Sequence, residues 1–150
     1  MSDYEFTMSL RIRHPDIDPE RITQRLGLQP QHCWRAGEER RGSSGEFLTG
    51  TYRESYWVCE LMPDPQLATE STGVESELMQ VMSKLHESLD FLKSIRASGG
   101  AGEVHVSVFA REPFRIELLA EIASMLGQAG IGLTLEVQPH STAVPAPSAG

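Results

Sequence analysis

The chain has 150 residues, of which 39% are hydrophobic and 23% charged, and its formal net charge is −8. That size and composition fit one soluble domain burying ~70% of its extended-chain surface. The acidity argues against a general binder of nucleic acid or anionic membranes, since both need surplus Lys and Arg near phosphates.

The charge is uneven. Residues 1–60 hold eight Arg against ten acids, while residues 61–150 hold five basic side chains against eleven acids. A local anion site in the first part therefore stays open. No apolar run approaches the ~20 residues that span a bilayer. The start, Met1-Ser2-Asp3-Tyr4-Glu5, lacks the basic and apolar regions of an export signal. The expectation is a cytoplasmic protein with two free thiols, Cys33 and Cys59.

In Phe6-Thr7-Met8-Ser9-Leu10-Arg11-Ile12-Arg13 the apolar and polar residues alternate, which predicts a half-buried strand ended by His14-Pro15. Asp18-Pro19 is a helix start, with Asp18 as N-cap and Pro19 at the first helical position. Ile22 and Leu26 share a face, and Gly27 suits the left-handed C-terminal cap. Residues 31–35 predict a short strand. Ala36 to Thr51, rich in Gly, Ser, Arg and Glu, reads as a mobile loop. Strand character returns over Tyr52 to Leu61, and Met62-Pro63-Asp64-Pro65 breaks it.

From Val74 to Arg96 the stripe Leu78, Val81, Met82, Leu85, Leu89, Leu92 and Ile95 predicts one long amphipathic helix. Ser98-Gly99-Gly100-Ala101-Gly102 ends it. Val104, Val106 and Val108 mark another strand. Pro113 is expected to open a third helix bearing Leu118, Leu119, Ile122, Met125 and Leu126. Ile131 to Val137 repeats the strand alternation. Residues 139–150 read as a disordered tail after a single domain of residues 1–138.

The order implies an α+β, two-layer sandwich. A ferredoxin-like β-α-β-β-α-β unit carries an appended α-β, with the helices on one face of a single sheet. The opposite face would present Ser9, Arg11, Arg13, His105, Ser107, Phe109, Thr134 and Glu136 to water, a ligand or a second subunit.

The run Asp18-Pro19-Glu20-x-Ile22-Thr23-x-x-Leu26-Gly27-Leu28-x-Pro30, followed by Trp34-Arg35-x-Gly37-Glu38 and Trp57, resembles the bacterial domain-of-unknown-function family 4279. The resemblance runs from about Tyr4 to Val137. It implies a small bacterial α+β domain with no established activity, and it carries over no catalytic residue, metal or substrate.

Chemistry is sparse. His32-Cys33 has neither the base of a thiol nucleophile nor the ligand spacing of a metal site, and the five histidines are scattered. Arg40-Arg41-Gly42-Ser43-Ser44-Gly45 lacks the Gly-Lys-Ser/Thr ending of a phosphate loop. Asp18 is better explained as a cap and Asp16 as a turn residue. No cofactor is expected.

Trp34 and Arg35 stand out, because Arg forks onto carboxylate or phosphate and Trp offers a stacking surface. The structural alternative has Trp34 and Trp57 closing the core, with Arg35 pairing Glu38 or Glu39. The candidate ligand- or partner-binding set is Trp34, Arg35, Arg11, Arg13, Arg53 and Tyr56. The first functional reading is a non-enzymatic protein-interaction module, self-associating or immunity-like towards another protein. The second is a small-molecule or anion binder, or an enzyme, with a closed pocket between the Trp34-Arg35 turn, the mobile loop and Arg11 and Arg13. Catalysis itself stays open, and neither nucleic acid nor membrane is expected as a partner.

Overall fold

A computed structural model of the chain describes residues 4–62, 64–69 and 72–139. Its elements run β1 (Tyr4–His14), α1 (Pro19–Leu26), β2 (His32–Trp34), β3 (Glu39–Arg41), β4 (Phe47–Thr51), β5 (Ser55–Glu60) and β6 (Gln66–Leu67). They continue with α2 (Val74–Leu85), a 3-10 turn (His86–Ser88), α3 (Leu89–Ala97), β7 (Ala101–Ala110), α4 (Ala120–Ala129) and β8 (Ile131–Pro139). The protein is an α+β domain built on a mostly antiparallel sheet.

Strand order in the main sheet is β2-β5-β1-β7-β8. Every neighbouring pair is antiparallel except β7 and β8. The short β6 joins the β5 side of β1 at Glu5 and Phe6. Strand β1 is central because its alternation lets one face be wholly apolar. Phe6, Met8, Leu10 and Ile12 are all buried, each contributing roughly 1.5–3 kcal/mol relative to exposure. The register sets them beside Val108, Val106 and Val104 of β7 and beside Cys59 and Trp57 of β5. Ile22, Leu78, Met82, Leu92, Ile95, Ile122 and Leu126 from the four helices close over this face.

Local signals explain most of the boundaries. The Asp18 carboxylate accepts the Glu20 N–H at 3.0 Å, and Gly27 caps α1 at φ 68°. Within the core, the Trp57 indole N–H donates to the Thr23 hydroxyl at 3.0 Å, which fixes α1 on β5. His14 is buried at the end of β1. Its Nδ1 accepts the N–H groups of Asp16 and Ile17, and its Nε2 lies 2.8 Å from the Ser98 hydroxyl. Gly99 turns the chain at φ 94°, while Gly100 answers to close packing, because a Cβ there would stand 2.7 Å from the Arg13 carbonyl oxygen.

Four expectations need correction. The loop expected over 36–51 is a β-hairpin, β3 with β4, and it forms a separate two-stranded sheet. The single-sheet expectation therefore fails by this ribbon, which pairs with itself and not with the main sheet. The helix expected from Val74 to Arg96 is broken by the 3-10 turn, where the Ser88 hydroxyl donates to the Arg25 carbonyl at 3.1 Å. The third helix begins at Ala120 and not at Pro113. In between, Phe114 and Ile116 pack against the core while Arg115 and Glu117 are exposed, a strand-like alternation. Phe114 rests on Tyr4 with centroids 5.3 Å apart, and the Glu117 N–H donates to the Glu75 carboxylate.

The strand expected over 52–61 is Ser55–Glu60, and the short strand within 31–35 is His32–Trp34. Pro63 and the expected tail beyond Pro139 lie outside the described residues.

Candidate functional site

Among the described residues the helices cover one face of the sheet and leave the other open. On the open face the register builds cross-strand rows. Trp34, Tyr56 and Arg13 form one row, and His32, Val58, Arg11 and Glu103 form the next. The two halves of this face differ chemically. On the β7–β8 side polar groups are paired: His105 Nε2 lies 3.1 Å from the Glu136 carboxylate, and the Thr134 hydroxyl donates to Glu103. On the β2–β5 side the surface is aromatic.

The aromatic corner is made by two adjoining segments. Strand β2 holds Trp34 opposite Tyr56, with centroids 4.8 Å apart. The chain then turns at Arg35-Ala36-Gly37-Glu38. Glu38 accepts the Arg35 N–H, and Gly37 at φ 90° donates its N–H to the Tyr52 carbonyl. The buried hydroxyl of Ser55 accepts the Ala36 N–H and donates to the Ile17 carbonyl, locking the turn to the loop before α1. This brings Tyr52 against Trp34, stacked at 4.3 Å and 13° between planes. Arg13 lies over the far end of the run, 5.8 Å from the Tyr56 ring. Such contacts contribute ~0.5–1.5 kcal/mol each beyond area burial.

Between this corner and the hairpin is a cleft of about 440 Å³ lined by Cys33, Trp34, Glu38, Glu39, Arg41, Phe47 and Tyr52. The Arg41 guanidinium sits 4.3 Å over the Phe47 ring. The Cys33 thiol is no activated nucleophile. Burial pushes its pKa up first, and the carboxylates of Glu38, Glu20 and Asp18 push it further.

The six sequence candidates are only partly brought together. Trp34, Tyr56 and Arg13 meet in one row, with Arg11 in the next. Arg35 does not join them: its Nε donates to the Asp16 carbonyl at 3.3 Å, and its Nη1 is 3.8 Å from the Asp18 carboxylate. The guanidinium thus pairs with neither Glu38 nor Glu39, and Glu38 meets Arg35 through the Arg35 backbone N–H. Arg53 stands exposed in the bend before β5. The two tryptophans also part company. Trp57 is fully buried, while Trp34 is half-buried on the opposite face. The small-molecule expectation set a closed pocket between the Trp34-Arg35 turn, the loop of residues 36–51 and Arg11/Arg13; the cleft is lined by Trp34 and by residues of that loop segment, but not by Arg35, Arg11 or Arg13. Sequence reasoning missed Tyr52, Phe47 and Ser55. The first two fall in or beside the stretch read as a loop, and Ser55 gave no signal beyond its neighbours.

The fold and this face describe a small α+β domain with an aromatic corner and an adjoining cleft. The chain belongs to the family described as Domain of unknown function (DUF4279), which matches residues 4–140. No curated protein and no solved structure matches it. Among the described residues no helix is long and apolar enough to cross a membrane, and no group of three or more His, Cys, Asp or Glu is placed to hold a metal ion.

Proposed function

We propose that this chain is a binding module that takes a protein partner on the aromatic corner of its open sheet face. The observation that carries the reading is the continuous Tyr52–Trp34–Tyr56 run, half-buried and flanked by Arg13, on a face that no helix among the described residues covers. Aromatic rings and arginine are the side chains that most often dominate protein interfaces, because they bury much area with few rotatable bonds. The formal charge of −8 favours a basic partner, as for a small acidic domain that binds and neutralises another protein. A second copy of the chain is the other partner this reading admits. We infer that the supporting frame is ferredoxin-like. The order β2-β5-β1-β7, all antiparallel, with α1 and α2–α3 as crossovers and α4–β8 appended, supports it.

A photo-reactive residue at Glu54, beside the corner, tests the reading against one at Gln128 on α4. Both positions are exposed. Irradiation in cells is expected to give a discrete adduct from position 54 only, at twice the chain's mass if the partner is a second copy. An adduct from position 128 alone, or equally from both, contradicts the proposal.

A second reading, a small anion bound beside Arg11 and Arg13, has one observation in its favour: the Arg11 Nε is buried without a hydrogen-bond partner among the described residues. Citrate or phosphate titration tests it. Saturable shifts at Arg11 and Arg13 that vanish in Arg11→Gln favour it, and their absence excludes it.

A further inference from the structure

We infer that the cleft between Trp34 and the β3–β4 hairpin receives a guanidinium group, carried on an arginine side chain of the protein partner. This rests on the binding-module reading above and names what that surface recognises.

The walls fit that group. Trp34 and Tyr52 form one side as a stacked pair, and Phe47 forms another while remaining 60% exposed. Phe47 stands across from Arg41 in the hairpin and takes its guanidinium on the ring, yet more than half of its surface stays exposed, and contact with a partner is a common reason for such a surface. Planar guanidinium groups stack on aromatic faces, and the protein already shows the match with Arg41 over Phe47 at 4.3 Å.

Charge then selects the sign of the ligand. The cleft presents Glu38 and Glu39 against the single Arg41. Glu38 is held in place by the Arg35 N–H, whereas the Glu39 carboxylate makes no hydrogen bond or ion pair among the described residues. A carboxylate facing an aromatic cleft offers the guanidinium fork two acceptor oxygens. The cationic side chains that would favour an anion lie elsewhere: Arg35 is turned to Asp16 and Asp18, and Arg11 and Arg13 are on the sheet face. The cleft, about 440 Å³, is large enough for the guanidinium and part of its stem.

The test follows the two indole N–H signals of the intact chain by NMR during titration with N-acetyl-argininamide. The expected result is a saturable shift of Trp34 while buried Trp57 stays unmoved. The uncharged isostere N-acetyl-citrullinamide and inorganic phosphate should give none, and N-acetyl-lysinamide should bind more weakly. Glu39→Gln and Phe47→Ala, both at exposed positions, should each weaken binding about two- to fivefold. Arg41→Gln should tighten it, an outcome no purely structural role produces. Equal shifts with the citrulline amide or phosphate, lysine binding as tight as arginine, no saturation, or insensitivity to Glu39→Gln would each overturn the assignment. If the argininamide fails while the position-54 adduct persists, the cleft's ligand class falls and the binding-module reading stands.

Discussion

The rings of Trp34 and Tyr52 lie face to face, 4.3 Å apart and 13° from parallel, and this pair ties the β3–β4 ribbon to the main sheet. The ribbon also hangs on backbone bonds at its base, Gly37 to Tyr52 and Tyr52 to Glu38. The Tyr52 hydroxyl adds one more by accepting the Arg41 N–H at 3.3 Å. Tyr52→Ala should therefore free the ribbon locally, with a loss of ~0.5–1.5 kcal/mol. Hydrogen exchange is expected to accelerate over residues 39–51 with little change over β1 or β7. A global acceleration would show instead that the ribbon is part of the cooperative core.

The Trp57–Thr23 bond makes a sharper prediction about stability. Thr23 and Trp57 are both buried, so removing the hydroxyl leaves an indole N–H without a partner. Thr23→Val keeps the shape and should cost ~1–3 kcal/mol in denaturant unfolding. Thr23→Ser keeps the acceptor and should cost less. Equal losses would assign Thr23 a packing role only.

These two pairs also show how far the sequence could be read. Core strands and caps were legible because each depends on a local pattern. The alternation from Phe6 to Ile12 named the buried face, and Asp18, Pro19 and Gly27 named both ends of α1. The hairpin was illegible because Gly, Ser and Arg dominate it and its fixation comes from Tyr52 meeting Trp34, a contact across eighteen positions. The segment 113–119 misled for a related reason. Its leucines suit a helix, but Phe114 docking on Tyr4 and Glu117 bonding to Glu75 hold it extended. For the site, Trp34, Tyr56 and Arg13 were legible as residue types. Their shared row depended on register, and Arg35 was drawn away by the two aspartates that precede α1.

Alkaline pH should weaken the fold. Loss of hydration, only partial at Cys33 where nearby carboxylates add to it, raises the pKa of the Cys33 and Cys59 thiols and of the Tyr4 phenol, whose ordinary values are 9.0 and 10.0. In each case the folded state retains the proton that the unfolded state gives up. The stability they contribute is complete below those ordinary values and is lost as pH rises through the raised ones. The urea midpoint is expected to fall above about pH 9 and to fall further above pH 10. The same raised values make Cys33, although exposed, alkylate more slowly than a free cysteine peptide at neutral pH, while buried Cys59 reacts only on opening. Alkylation of Cys33 at or above the free-peptide rate would contradict this account.

The proposal that the Trp34 corner is the contact surface is tested most directly by a hydrogen-exchange footprint of the chain with its captured partner, or at concentrations where a second copy binds. The account predicts protection over 32–34, 47–52 and 55–58, the segments that build the corner and the cleft wall. Protection confined to the helical face, over 75–97 or 120–129, would contradict it.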